Sequence, residues 1–313
     1  MTGSNDLWWG LAWVVVTLLV FTFPLLPGLI ELKLGRDAHP IAIDHQDNGD
    51  TEYRIKLLAP TLPVLSSLPG AASWWMADHY RVPAGTHLAA ARTDRSVTLE
   101  RNAVADIVIS DGMLQLEEGS QVTHLAHAGA IIARGAVNLG GRTSANSLVA
   151  LAAGSHAFRV AAPCIVTAPL RAAPPAPMDS AVTALTRMPR RHAGTFEVAA
   201  GQTLEDSLVV TGDLVLGEGA RVVGNVKAHG DVNLAAGAAV IGAVFAGGSI
   251  RCAGRNRVQG PMSASHTVTL GAQTVAGSPA VPCSVSAWQI VLGPGVAVFG
   301  TLASVAGCEI EGA

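Results

Sequence analysis

Apolar and polar positions between residues 194 and 306 follow a repeat of 18 residues. Within each repeat the apolar residues fall into three pairs, the members of a pair lie two positions apart, and the pairs recur every six residues. A spacing of two is the alternation of a β-strand, in which the residue between two inward side chains points outward. In three of the repeats the pairs are Leu214/Leu216, Ala220/Val222 and Val226/Ala228; Val232/Leu234, Ala238/Val240 and Val244/Ala246; and, after an insertion placed near Ser284–Ala287, Ile290/Leu292, Val296/Val298 and Leu302/Ser304.

A fixed period of this size is typical of a solenoid, because one coil cannot bury its own apolar side and needs neighbouring coils to cover it. Glycines recur at the repeat boundaries, as at Gly212, Gly230 and Gly248, where the chain has to turn. The sequence therefore predicts an all-β fold, a three-faced parallel β-helix (β-solenoid) with about 18 residues per coil. The usual crossover preference favours a right-handed coil.

Residues 78–170 repeat the same pattern less regularly, and one step, from Gly112 to Gly129, is 17 residues. Its apolar or small pairs are Leu114/Leu116, Ser120/Val122, Ala126/Ala128, Ile131/Ala133, Val137/Leu139, Thr143/Ala145, Val149/Leu151 and Ser155/Ala157. We expect an irregular β-helical segment over 78–170 and a regular β-helix over 194–313. The proline- and arginine-rich stretch 171–193 between them is predicted to be a linker, since proline cannot join a central strand ladder.

An uncharged apolar stretch of 24 residues, Leu7–Ile30, opens the chain. As a helix it would span roughly 36 Å, enough to cross a bilayer core. We expect residues 1–36 to form a transmembrane anchor and 37–77 a juxtamembrane connector. Three tryptophans stand where an interfacial aromatic belt would lie: Trp8, Trp9 and Trp13.

The orientation of the span follows from its flanking charges. Lys33 and Arg36 follow the span, so the positive-inside rule places the body in the cytoplasm. A cleaved signal peptide is the competing interpretation, but no Lys or Arg precedes the apolar run.

Composition gives little sign of chemistry. The chain has 313 residues, only 4% of them aromatic, and a net charge of −3, which gives no electrostatic reason to expect nucleic acid. The four cysteines, Cys164, Cys252, Cys283 and Cys308, lack the spacing of a metal or redox site. His124 and His127 should face opposite sides of a strand, and His229 and His266 fall in different columns of the repeat. We expect no catalytic residue, cofactor or metal.

The pattern Val-x-Gly-x-Val followed by Gly-Asp-x-x-Leu, which lies between Gly212 and Gly260, resembles the bactofilins, a family of polymer-forming bacterial cytoskeletal proteins. The resemblance is close over 194–306 and loose over 78–165. It implies a right-handed three-faced β-helix that polymerises end to end without nucleotide. It also implies a membrane-associated scaffold that recruits envelope or polysaccharide machinery. The apolar anchor and the second β-helical segment depart from the common family pattern.

We therefore expect a non-enzymatic scaffold at the bacterial inner membrane, with itself, the membrane and envelope or polysaccharide-synthesis proteins as partners. The terminal coil should offer a flat apolar end that a second copy can cover, formed by Val296, Val298, Phe299 and Leu302. One alternative is a secreted or periplasmic solenoid that binds polysaccharide. Another is a left-handed β-helix acyltransferase, whose typical aliphatic-glycine dipeptide occurs here at Ile241-Gly242 but not in the neighbouring hexads.

Overall fold

The computed structural model describes residues 79–168 and 189–312, together with Trp8, Ala12–Val14, Val16–Leu19 and Phe23. The chain divides into two compact units, Met1–Asn48 and Gly49–Ala313. The predicted connector 37–77, most of the predicted anchor 1–36 including Trp9, and residues 171–188 of the predicted linker lie outside the described residues. Trp8, Ala12–Val14 and Val16–Leu19 are helical, and Trp8 and Trp13 are exposed. Among the described residues, no helix is long and apolar enough to cross a membrane.

The described residues of the second unit form an all-β solenoid of about 12 turns with about 18 residues per turn, which confirms the predicted β-solenoid. The strands of the first half are β1 (His79–Val82), β2 (His87–Thr93), β3 (Ser96–Leu99), β4 (Val104–Ser110), β5 (Met113–Leu116), β6 (Gln121–Ala133), β7 (Asn138–Leu151) and β8 (His156–Thr167). Within this half the strands pair in parallel, and successive coils are mostly 17 residues apart, as in the register Val97↔Leu114.

Up to β23 the second half has shorter strands and a stricter period, and its last two strands are long. The strands of this half are β9 (Arg190–His192), β10 (Phe196–Val198), β11 (Thr203–Leu204), β12 (Leu208–Val210), β13 (Leu214–Leu216), β14 (Arg221–Val223), β15 (Val226–Ala228), β16 (Val232–Leu234), β17 (Ala239–Ile241), β18 (Val244–Ala246), β19 (Ile250–Cys252), β20 (Arg257–Val258), β21 (Met262–Ala264), β22 (Thr267–Leu270), β23 (Val275–Ala276), β24 (Cys283–Leu292) and β25 (Ala297–Ile310). Each strand up to β24 pairs in parallel with a strand one coil later, as in Leu214↔Val232.

Three columns of strands form three faces in the second half. Face 1 consists of β10, β13, β16, β19, β22 and the last parts of β24 and β25. Face 2 consists of β11, β14, β17, β20, β23 and the first part of β25. Face 3 consists of β9, β12, β15, β18, β21, the first part of β24 and the middle of β25.

The core is a single aliphatic cluster that runs through both halves. Every residue of the predicted inward pairs is buried, including the small polar members Ser120, Thr143, Ser155 and Ser304. The inward side chains of one coil stack on those of the next, so each coil buries the apolar surface of its neighbour.

Glycines at one corner are required by close approach of the preceding coil. Asp213 Oδ1 accepts a hydrogen bond from the backbone N–H of Asp231 at 2.8 Å, and Asp231 Oδ1 accepts one from Ser249 at 2.8 Å. A Cβ on Gly230 or Gly248 would overlap these same carboxylate oxygens. The glycines at this corner therefore leave the space in which the carboxylate of the preceding coil accepts its hydrogen bond.

Two boundaries differ from those expected. The extra residues of the late coil lie in the loop 277–282 rather than near Ser284–Ala287, because β24 already begins at Cys283 and pairs with β21 through Met262↔Val285. The linker range 171–193 also extends too far, because β9 (Arg190–His192) pairs with β12. The spacing of apolar pairs could not place either boundary, because it shows where inward residues lie but not which loop between two strands holds the extra residues.

Candidate interaction surfaces

The two halves of the solenoid are joined end to end through β8 and β25. These strands run antiparallel, in contrast to the parallel pairing elsewhere among the described strands. The pairing extends over successive parts of both strands, with Val166 opposite Ala297, Ala161 opposite Thr301, and Ala157 opposite Cys308. The last coil of the first half therefore covers the last coil of the second half.

Hydrogen bonds with large sequence separation close this joint. Thr167 Oγ1 donates to the carbonyl of Gly293 at 2.7 Å and accepts from the backbone N–H of Val296 at 2.9 Å. Ser304 Oγ donates to the carbonyl of Phe158 at 2.9 Å. Thr167 and Ser304 are buried, so these bonds pair polar groups that are removed from water.

The joint contains the side chains that we expected to form an open end. Val296, Val298, Phe299 and Leu302 are at most 5% exposed. The strand edge that carries Val298 and Leu302 is occupied by Ile165 and Val160 of β8. The prediction of an uncovered apolar end at this coil is wrong, because the first half of the same chain supplies the missing neighbour.

The described end coils keep one unpaired strand edge each. Among the described residues, β9, β10 and β11 of the second half pair only with strands of the next coil. The strands β1 and β2 of the first half also pair only with strands of the next coil. Since the halves meet at their last coils, both of these outer edges belong to first coils. An unpaired edge is a template for another strand.

An aromatic and cationic cluster lies over the core at the β9–β11 edge. Arg190 and His192 are in register with Leu208 and Val210, whose side chains point into the core. The Arg190 guanidinium carbon lies 5.8 Å from the centre of the Phe196 ring, and the His192 ring centre lies 4.8 Å from it. Phe196 and Leu204 remain only partly buried, unlike the inward residues of the following coils. A charged side chain in an inward position is a known means of blunting an exposed edge.

The cysteines are free and most are deeply buried. Burial raises the pKa of the Cys252, Cys283 and Cys308 thiols to about 12, so these thiols behave as small apolar groups at neutral pH. Among the described residues, no group of three or more His, Cys, Asp and Glu side chains is arranged to hold a metal ion.

The histidines singled out in the sequence are separated by the fold. His124 is exposed, whereas His127 is buried and its Nδ1 lies 2.8 Å from Ser144 Oγ. His229 and His266 are exposed at corners. At the same corner column, the backbone N–H of Ser249 and the guanidinium of Arg251, which lies 2.7 Å from the carboxylate, lower the pKa of Asp231.

Sequence analysis missed the joint and the cluster around Phe196. Inward positions are recognised in a sequence by their apolar character, so the polar Arg190 and His192 resemble linker residues. The only sequence signal for them was their spacing of 18 residues from Leu208 and Val210. The chain matches no protein-family model, no curated protein and no solved structure.

Proposed function

We propose that this chain is a non-enzymatic structural scaffold of the bactofilin type, anchored at the bacterial inner membrane with its solenoid in the cytoplasm. The observation that carries the proposal is the continuous aliphatic core, which joins the two solenoid halves and, among the described residues, leaves unpaired strand edges at the first coils. The apolar stretch Leu7–Ile30 would supply the anchor, and Lys33 and Arg36 favour the cytoplasmic orientation.

In this proposal, self-association uses the outer edges of the solenoid rather than the coil around Leu302. The β9–β11 edge is the better candidate, because Phe196 and Leu204 are inward side chains that the next coil covers from one side only. A second copy would pair with the free edge and complete their burial. Arg190, which stacks on Phe196, would limit how readily this happens.

The proposal is tested by electron microscopy and analytical ultracentrifugation of the full chain in detergent. We expect wild-type protein to form linear end-to-end assemblies, and Leu204→Arg to reduce them to single particles, because a second cation would lie over the exposed core. Arg190→Ala should lengthen the assemblies. Thr269→Arg, an outward substitution on face 1 far from the edge, is the matched control.

Two results would overturn end-to-end association through this edge. One is a wild-type protein that stays as single particles at all concentrations. The other is a Leu204→Arg variant with unchanged circular dichroism and unchanged assemblies.

Envelope or polysaccharide-synthesis proteins are the proposed clients of the scaffold. A topology reporter fused after the last residue separates this function from an exported polysaccharide-binding solenoid, which requires the body outside the cytoplasm.

A further inference from the structure

The exposed large apolar side chains of the described solenoid residues are concentrated on one side. They are Phe245, Val281, Trp288 and Val305, with exposures of 42, 38, 58 and 61%. Phe245 is the central, outward residue of β18 on face 3. Val281 and Trp288 flank the part of β24 that belongs to face 3, and Val305 follows the corresponding part of β25. All four therefore lie on face 3 or at its two borders.

Face 3 also differs from its neighbours in charge. Its strands contain no Asp or Glu, although the whole chain has a net charge of −3. Lys227 is exposed one coil before Phe245, and Arg159 is exposed on β8, directly opposite Ala303 across the joint. Face 1, in contrast, exposes Glu197 and Glu309 at outward positions. The apolar side chains thus lie between cations without intervening carboxylates.

Beyond Phe245, the outward side chains between these cations are small. They are Ser263, Ser286 and Ala303, and Ser286 Oγ donates to Ser263 Oγ at 3.1 Å. Two shallow, open depressions of about 320 Å³ each lie beside Lys227 and beside Arg159. From the strand of Lys227 to that of Arg159 the chain makes five strand spacings, roughly 24 Å. The shape suits a planar surface better than a deeply inserted ligand.

We propose that face 3 lies against the surface of an anionic lipid bilayer. Phe and Trp side chains are favoured at the level of the lipid headgroups, and nearby Lys and Arg side chains are attracted to an anionic leaflet. Phe245 is separated from Trp288 and Val305 by Ser263 and Ser286, so the exposed apolar side chains are dispersed, unlike the compact, well-packed centre of a protein-protein hot spot. This inference rests on the membrane association proposed above, but not on end-to-end assembly.

The test places a fluorescent probe on two faces of the same coil in the full chain. In a Cys164→Ser background, Ser263→Cys carries the probe on face 3 and Thr269→Cys carries it on face 1. Buried thiols with a pKa of about 12 leave the introduced cysteine as the reactive one among the solenoid residues. Each protein is reconstituted into vesicles of phosphatidylcholine alone or with phosphatidylglycerol, and both contain a spin-labelled lipid as quencher.

We expect at least threefold stronger quenching at position 263 than at 269 in the anionic vesicles, and a decrease of this difference at high salt. The double variant Lys227→Glu with Arg159→Glu should abolish it while circular dichroism and end-to-end assembly stay unchanged. Equal quenching at both positions, no quenching at 263 in anionic vesicles, or no response to charge reversal would overturn the proposal. Because the readout does not depend on assembly, failure here is distinguishable from failure of the scaffold function.

Discussion

At the scale of single residues, the turns of the solenoid depend on side chains that pair backbone groups of neighbouring coils. Asn256 is the most buried example and is fully removed from solvent. Its Oδ1 accepts from the backbone N–H of Gly254 at 2.8 Å, and its Nδ2 donates to the carbonyls of Ala235 and Ala238, the first at 2.6 Å. One side chain thus bonds three backbone groups in two successive coils, and two of these bonds are buried.

We predict that Asn256→Ala lowers the free energy of unfolding by about 2 kcal/mol, because the buried Gly254 N–H loses its acceptor, whereas the carbonyls of Ala235 and Ala238 keep backbone donors. Steric strain should not contribute, since Ala238 occupies the equivalent turn position one coil earlier. Asn225→Ala is the matched control. Asn225 is exposed and accepts one bond, from the backbone N–H of Ala243 at 2.9 Å, so its loss should cost about 1 kcal/mol. Urea unfolding followed by circular dichroism measures both, and equal shifts of the midpoint would contradict this role for Asn256.

At the scale of elements, β25 has different partners on its two sides. On one side it pairs in parallel with β23 and β24, and on the other it pairs antiparallel with β8. Parallel pairing continues the coil, whereas antiparallel pairing ends it, because the next strand belongs to a solenoid that approaches from the opposite direction. Thr167 closes the corner of this joint by bonding two backbone groups of the connection between β24 and β25.

Replacement of Thr167 by Val tests the contribution of that corner. Val preserves the shape but removes the hydroxyl, so the carbonyl of Gly293 and the N–H of Val296 lose a buried partner. We expect a loss of about 2 to 4 kcal/mol and faster hydrogen exchange at the Val296 amide. Thr167→Ser keeps the hydroxyl and should retain the slow exchange. A Val variant with wild-type exchange at Val296 would show that the hydroxyl is not what closes the joint.

At the scale of the whole molecule, the repeat was predictable and the arrangement of the two halves was not. Stacked coils impose the same inward positions at every turn, so pairs such as Leu214/Leu216 and Val149/Leu151 can be identified from apolar periodicity alone. The joint forms once, between edges separated by 126 residues at Thr167 and Gly293, and leaves no periodic signal. Val298 and Leu302 look the same in sequence whether another copy or β8 covers them.

A cross-link across the joint separates these two possibilities. Ala161 and Thr301 lie directly opposite each other on β8 and β25. In a Cys164→Ser background, the pair Ala161→Cys and Thr301→Cys should form a bond within one chain, giving a faster-migrating monomer at every protein concentration. The pair Ala161→Cys and Arg221→Cys, which places the second thiol on β14 far from the joint, should not. Dimer bands that increase with concentration would mean that the joint connects two chains.

The antiparallel joint also has a consequence for synthesis on the ribosome. The edge of β8 is complete once Thr167 has emerged, yet its partner Val296 follows 129 residues later. At typical elongation rates this delay is roughly 6 to 26 s. During that interval the nascent first half carries an apolar, unpaired edge that another nascent chain on the same messenger could capture. Slowed elongation between these positions should therefore increase co-translational aggregation more than slowed elongation elsewhere.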